Sequence, residues 1–186
     1  MRNPFKALMG DHHMKAKTFG LAMGLLLGLG GAALADPAFD PGATEACVAD
    51  AAAASPSLSG YGVLDCVGKS AEACMETDGG GTTVGMGFCL EGAWKFWDKR
   101  LNAAYATRLQ EAKQTDAEMA SIKASVPSME DALRKMQRAW IGYRDAACLY
   151  EVSKWQGGTG SGPAGMACMM QETARQALKL EGWWSQ

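Results

Sequence analysis

The apolar positions of the chain recur with helical spacing in long stretches, separated by short polar or glycine-rich ones. Residues 43–54 are alanine-rich and helical by propensity, and residues 61–76 form a second helical segment ahead of a glycine loop at 78–87. A strongly amphipathic helix is predicted over 88–113. The "TDAE" at 115–118 reads as a capping box opening a short helix to about residue 124. Pro127 and Ser128 open a long helix through about Trp155, and after a loop at 156–165 a last helix covers 166–181. No stretch alternates with period two, so the fold class predicted is all-α, an antiparallel bundle of about five helices. At 100° per residue, Trp94, Trp97, Leu101, Tyr105 and Leu109 share one stripe, and Leu133, Met136, Trp140, Tyr143 and Ala147 share another. These stripes are expected to be core.

The N-terminus has a different pattern. Arg2, Lys6, Lys15 and Lys17 precede a 16-residue apolar run, Phe19 to Leu34, which ends in Ala33-Leu34-Ala35. That is the layout of a signal peptide with a small-x-small cleavage site, and Met14 is an alternative start. The run is shorter than the roughly 20 residues a membrane span needs, and no cysteine stands at the cleavage point to carry a lipid. Residues 1–35 are therefore expected to be an export signal, residues 36–73 a helical hairpin extension, and residues 74–186 the main helical domain. The protein is expected in the periplasm or the medium.

Cleavage changes the chemistry available. The full chain carries 18 basic and 20 acidic residues; from residue 36 onward 14 and 19 remain, a net charge of −5. His12 and His13 leave with the signal, and with them the usual general base and the commonest metal ligand. Composition thus points away from hydrolase triads, zinc sites, haem and nucleic acid, and towards basic protein partners. No catalytic, cofactor or metal set emerges from the sequence.

All six cysteines lie after the signal, which in an exported chain reads as three disulfides. Cys47 and Cys66 flank "SPSLSG", Cys74 and Cys89 flank "DGGGTT", and Cys148 and Cys168 flank "GGTGSGP". If each polar stretch joins two antiparallel helices, each pair sits level across its hairpin, which predicts Cys47–Cys66, Cys74–Cys89 and Cys148–Cys168. No C-x-x-C motif supports a redox role, and the wide spacings disfavour zinc.

Two charges interrupt the apolar stripes. Asp98, with Asn102 beside it, sits at the edge of the first, and Arg144 and Gln137 lie in or beside the second. Burying a charge alone costs several kcal/mol, so Asp98 and Arg144 are expected to pair between two packed helices. Asp145, about 100° away on the helix, is expected at the surface or the loop.

"WDKRLNAAY" (97–105), "MQRAWIGYRDAAC" (136–148) and "CMMQET" (168–173), taken in order, resemble the LprI-like lysozyme-inhibitor family of small exported bacterial helical domains. The resemblance covers about residues 74–180. It places Cys74, Cys89, Cys148 and Cys168 in the family's cysteine positions, and its recurrent polar elements on Asp98, Leu101, Asn102, Tyr143, Arg144 and Asp145. The family's arginine eight residues past the last cysteine is Gln176 here, with Arg175 one place early. The resemblance implies a binding protein that inhibits a lysozyme-type, peptidoglycan-cleaving enzyme. An envelope scaffold or adaptor is the alternative. A carboxylate-dependent glycosidase is the weakest reading, because acidic pairs arise by chance in so acidic a chain. For an inhibitor, the neutral loop Trp155, Gln156, Gly157, Gly158, Thr159 and Gly160, running on to Pro163, is the expected insert into the enzyme's cleft, with Trp155 as anchor.

Overall fold

A computed structural model describes residues 37–54 and 62–183. The expected export signal and the "SPSLSG" turn lie outside the described residues. Five α-helices run in order: α1 (Gly42–Ala53), α2 (Lys69–Met75), α3 (Thr83–Ser121), α4 (Met129–Ser153) and α5 (Ser161–Glu181), with a 3-10 turn at Gly62–Cys66 ahead of α2. No strand occurs among the described residues. The protein is an all-α, disulfide-stapled helical bundle.

The spine is α3, whose 39 residues span about 58 Å at 1.5 Å per residue. Thr82 caps it, its hydroxyl accepting from the Gly85 amide at 3.0 Å. The helix expected to restart at Thr115 does not. From Leu101 to Ser121 there is neither glycine nor proline, so nothing interrupts the ladder and "TDAE" stays inside one helix. The helix ends where Lys123 takes φ 54°. The Lys123 amide then donates to the Ala120 carbonyl at 3.0 Å and the Ala124 amide to that of Met119 at 2.9 Å, which closes the last turn. Helix α5 starts five residues earlier than Met166. Pro163 falls in its first turn, where the missing N–H would have had no helical partner anyway.

Helix α5 runs parallel to α3, and α4 runs antiparallel to both. Met170 and Leu90 line one groove, and further along both helices Glu181 meets Arg100 and the Leu180 carbonyl meets Arg108. Ala174 and Ala177, fully buried, let α5 approach closely, and Trp97, Leu101 and Leu178 fill the seam. Gly92 does the same for the segment before α1: a Cβ there would lie 2.4 Å from the ring of Phe39.

The second helical segment, expected to be continuous over 61–76, breaks at Val67-Gly68 into the 3-10 turn and α2. The break leaves the Val67 carbonyl outside any helix, and it accepts the Trp97 indole N–H at 3.0 Å. It also lets Thr44 and Ser70, both 1 % exposed, bracket each other. The Thr44 amide donates to the Ser70 hydroxyl (2.9 Å) and the Ser70 amide to the Thr44 hydroxyl (3.0 Å), tying α1 to the start of α2.

Bridges join Cys47 to Cys66, Cys74 to Cys89 and Cys148 to Cys168, with Cα–Cα distances of 5.5, 5.6 and 5.4 Å. Each links elements adjacent in the chain. No helix among the described residues is long and apolar enough to cross a membrane.

Candidate partner-binding site

Helix α4 departs most from its sequence reading. Of its 25 residues, Cys148 alone is buried. Leu133, Met136 and Trp140 of the expected stripe pack half-buried against the core, and the inward face extends past them to Gln137, Arg144 and Cys148, so Tyr143, also expected in the core, is 60 % exposed. The helix is rotated relative to its apolar stripe. Two tethers set the rotation: the disulfide to Cys168, and a hydrogen bond from Gln176 Nε2 to Gln137 Oε1 at 3.0 Å. Gln176 is buried against α4, while Arg175 faces solvent and lies 4.0 Å from Glu172.

The expected Asp98–Arg144 ion pair is not formed. Arg144 donates from Nε (3.0 Å) and Nη2 (2.8 Å) to Oδ1 of its neighbour Asp145, and its guanidinium stacks 5.0 Å from the Trp140 ring centroid. Asp98 instead accepts from Asn102 Nδ2, one turn on, at 3.0 Å. The physical reason is proximity. Asp145 is tethered one residue away and the half-buried Trp140 supplies a ring face, so Arg144 is satisfied within its own helix. Asp145, expected to point elsewhere, folds back to do this.

Two polar contacts escaped the sequence reading. Arg100 forms a two-pronged ion pair with Glu181, Nε–Oε1 2.9 Å and Nη2–Oε2 2.7 Å, while lying 4.9 Å from the Trp97 ring centroid. The partners are 81 residues apart, so no local signal could reveal the pair. Asp116, inside the "TDAE" that reads as a capping box, holds the next helix. Its carboxylate accepts from the Ser128 hydroxyl (2.6 Å) and the amides of Met129 (2.7 Å) and Glu130 (3.0 Å), while the Ser128 hydroxyl caps the Asp131 amide at 3.1 Å. Ser128 with Asp131 three residues on was the legible part of this signal.

The Ser128 hydroxyl, then the Glu130 and Met129 amides, hold the Asp116 carboxyl below the usual aspartate range. A lowered folded-state value means the cap is fully present above about pH 4 and is lost as pH falls through the depressed value. Protection at Met129 and Glu130, taken relative to the intrinsic exchange rate at each pH, should therefore fall in acid before the bundle unfolds, and Asp116→Asn should show that fraying at neutral pH. Equal protection in the variant would reject the assignment.

The loop between α4 and α5 is a run of tight turns. Gln156 and Gly157 take φ 46° and 84°, and the Gly158 amide donates to the Trp155 carbonyl at 2.8 Å. The Trp155 ring, half exposed, covers Gly160, where a Cβ would lie 2.2 Å from it. Residues 155–160 thus present an indole and polar backbone with no charge, above the Cys148–Cys168 bridge.

A family model described as lysozyme inhibitor LprI matches residues 74–180, more than half the chain, a range that runs from Cys74 in α2 to Leu180 in α5. The chain belongs to the LprI family. Among similar proteins, an uncharacterized protein of Rhizobium meliloti (strain 1021) is 29% identical over 96 residues, 52% of this chain and 69% of the relative. An uncharacterized 17.7 kDa protein of Rhodobacter capsulatus is 28% identical over 119 residues, 63% of this chain and 74% of the relative. No solved structure matches. Family membership and three disulfides mark an extracytoplasmic protein whose family acts by binding protein. No cluster suited to a metal ion occurs among the described residues.

Proposed function

We propose that this LprI-family protein is released into the periplasm or the medium by removal of residues 1–35, and there binds and inhibits a basic, lysozyme-type peptidoglycan-cleaving enzyme without being an enzyme itself. The family match over residues 74–180 carries the reading. Charge supports it. Between residues 36 and 91 stand nine acidic side chains against one basic, Lys69, whereas residues 92–186 carry 10 acidic and 13 basic. The acidic half supplies long-range attraction for a cationic enzyme. Because α3 and α5 run parallel and α4 antiparallel, the neutral 155–160 loop lies at the same end of the bundle as Glu76 and Asp78 in the α2–α3 turn. The loop is the proposed insert into the cleft, Trp155 its anchor, and its lack of charge avoids repelling the catalytic carboxylates of such enzymes.

Lysozyme turnover of cell-wall suspensions tests this. Inhibition should weaken as salt rises, through a slower association rate. It should disappear when Gly157, Gly158 and Thr159 are deleted while the helical circular dichroism persists. Full activity of several lysozyme types at saturating protein would overturn the proposal and leave an envelope scaffold or adaptor.

A further inference from the structure

The outward face of α4 from Ala139 to Tyr150 is unusually poor in charge. A surface helix ordinarily turns charge to solvent and apolar side chains inward. Here Arg144 and Gln137 face in, and Ala139, Gly142, Tyr143, Ala146, Leu149 and Tyr150 face out. These six fall within about 120° of the helix circumference, opposite Arg144 and Cys148, and none is charged. Tyr143, Leu149 and Tyr150 are 60%, 61% and 65% exposed, and a Cβ added at Gly142 would meet nothing within 4 Å. Charge borders the face at both ends: exposed Lys135 and Arg138 stand one turn before Ala139 and Gly142, and beyond the other end Lys154 stacks on Tyr150 and pairs with Glu151.

We propose that this face binds a second copy of the same chain, α4 against α4 about a two-fold axis. The charge distribution selects the occupant. A basic partner is recognised by carboxylates, and the face has none. Two copies, each of net charge −5 from residue 36 onward, repel through their acidic surfaces, but a face without carboxylates can meet itself at little such cost. Shape agrees. Gly142 and Ala146, one turn apart, leave a shallow strip between Tyr143 and Tyr150, two turns apart. In an antiparallel pair the tyrosines of one copy flank the small residues of the other. The area suffices for a weak dimer. Each tyrosine offers on the order of 100–150 Å² at aromatic size, and the whole face roughly 500 Å², so a pair buries about 1,000 Å² in total, the lower edge of specific interfaces. The pairing does not depend on any lysozyme activity.

Sedimentation of the purified, disulfide-intact protein from micromolar to sub-millimolar concentration tests the proposal. The protein should pass from monomer to dimer across that range. Ala146→Glu, which sets two carboxylates face to face at the centre, should weaken association at least about tenfold with unchanged circular dichroism. Tyr150→Lys serves the same purpose should Ala146→Glu fail to fold, because its site is already exposed. A protein that stays monomeric throughout, or a dimer that either folded variant leaves intact, overturns the proposal.

Discussion

Replacing Trp97 with alanine is expected to cost about 3–5 kcal/mol, a large share of the 5–15 kcal/mol that holds a typical domain together. Trp97 is fully buried at the point where the Val67-Gly68 break, α3 and α5 converge. Its ring packs edge-on to Phe96 at 5.3 Å between centroids and underlies the Arg100 guanidinium that Glu181 holds. Truncation removes that packing, leaves a cavity, and strands the Val67 carbonyl without the indole N–H. Thermal unfolding followed by circular dichroism should show a fall in Tm of roughly 10–15 °C. Trp97→Phe should lose less, since it keeps most of the volume and gives up only the hydrogen bond and the outer ring. A fall of a degree or two for the alanine variant would show that Trp97 is not the keystone of the seam.

Opening the Cys148–Cys168 bridge should have the next largest effect, and a local one. The bridge closes a separation of 20 residues, worth about 3 kcal/mol in the chain-entropy model. Otherwise α4 is held by half-buried Leu133, Met136 and Trp140 in its N-terminal half, the Gln137–Gln176 hydrogen bond and the Asp116 cap at its far end, so the bridge is the main anchor of its C-terminal half. In the Cys148→Ser, Cys168→Ser double variant, amides in the C-terminal half of α4 should exchange on the order of a hundredfold faster, while those of α3 near Trp97 stay protected. Equal loss of protection in α3, α4 and α5 would mean that α4 is not a separately opening unit.

Local physics made much of this protein legible from its sequence. Helical periodicity and the absence of alternating stretches specify an all-α chain, because both follow from the geometry of neighbouring residues. The disulfide pairing follows from where the polar stretches fall, since a short connection brings the cysteines on either side of it level. The motif string from Trp97 to Thr173 carries the family. Tertiary structure decided what depends on distant partners. Helix α3 runs unbroken through "TDAE", and its Asp116 accepts the amides of Met129 and Glu130 across the hairpin, a partnership that no local signal announces. Arg100 meets Glu181 over 81 residues of sequence. Most of all, the rotation of α4 was open. Its inward face keeps Leu133, Met136 and Trp140 but is turned a few tens of degrees from the centre of the apolar stripe, so only the stripe's far flank, Tyr143, leaves the core. One covalent bridge, one glutamine pair and the self-satisfied Arg144–Asp145 couple tip the helix, and so leave Tyr143 and Tyr150 in solvent.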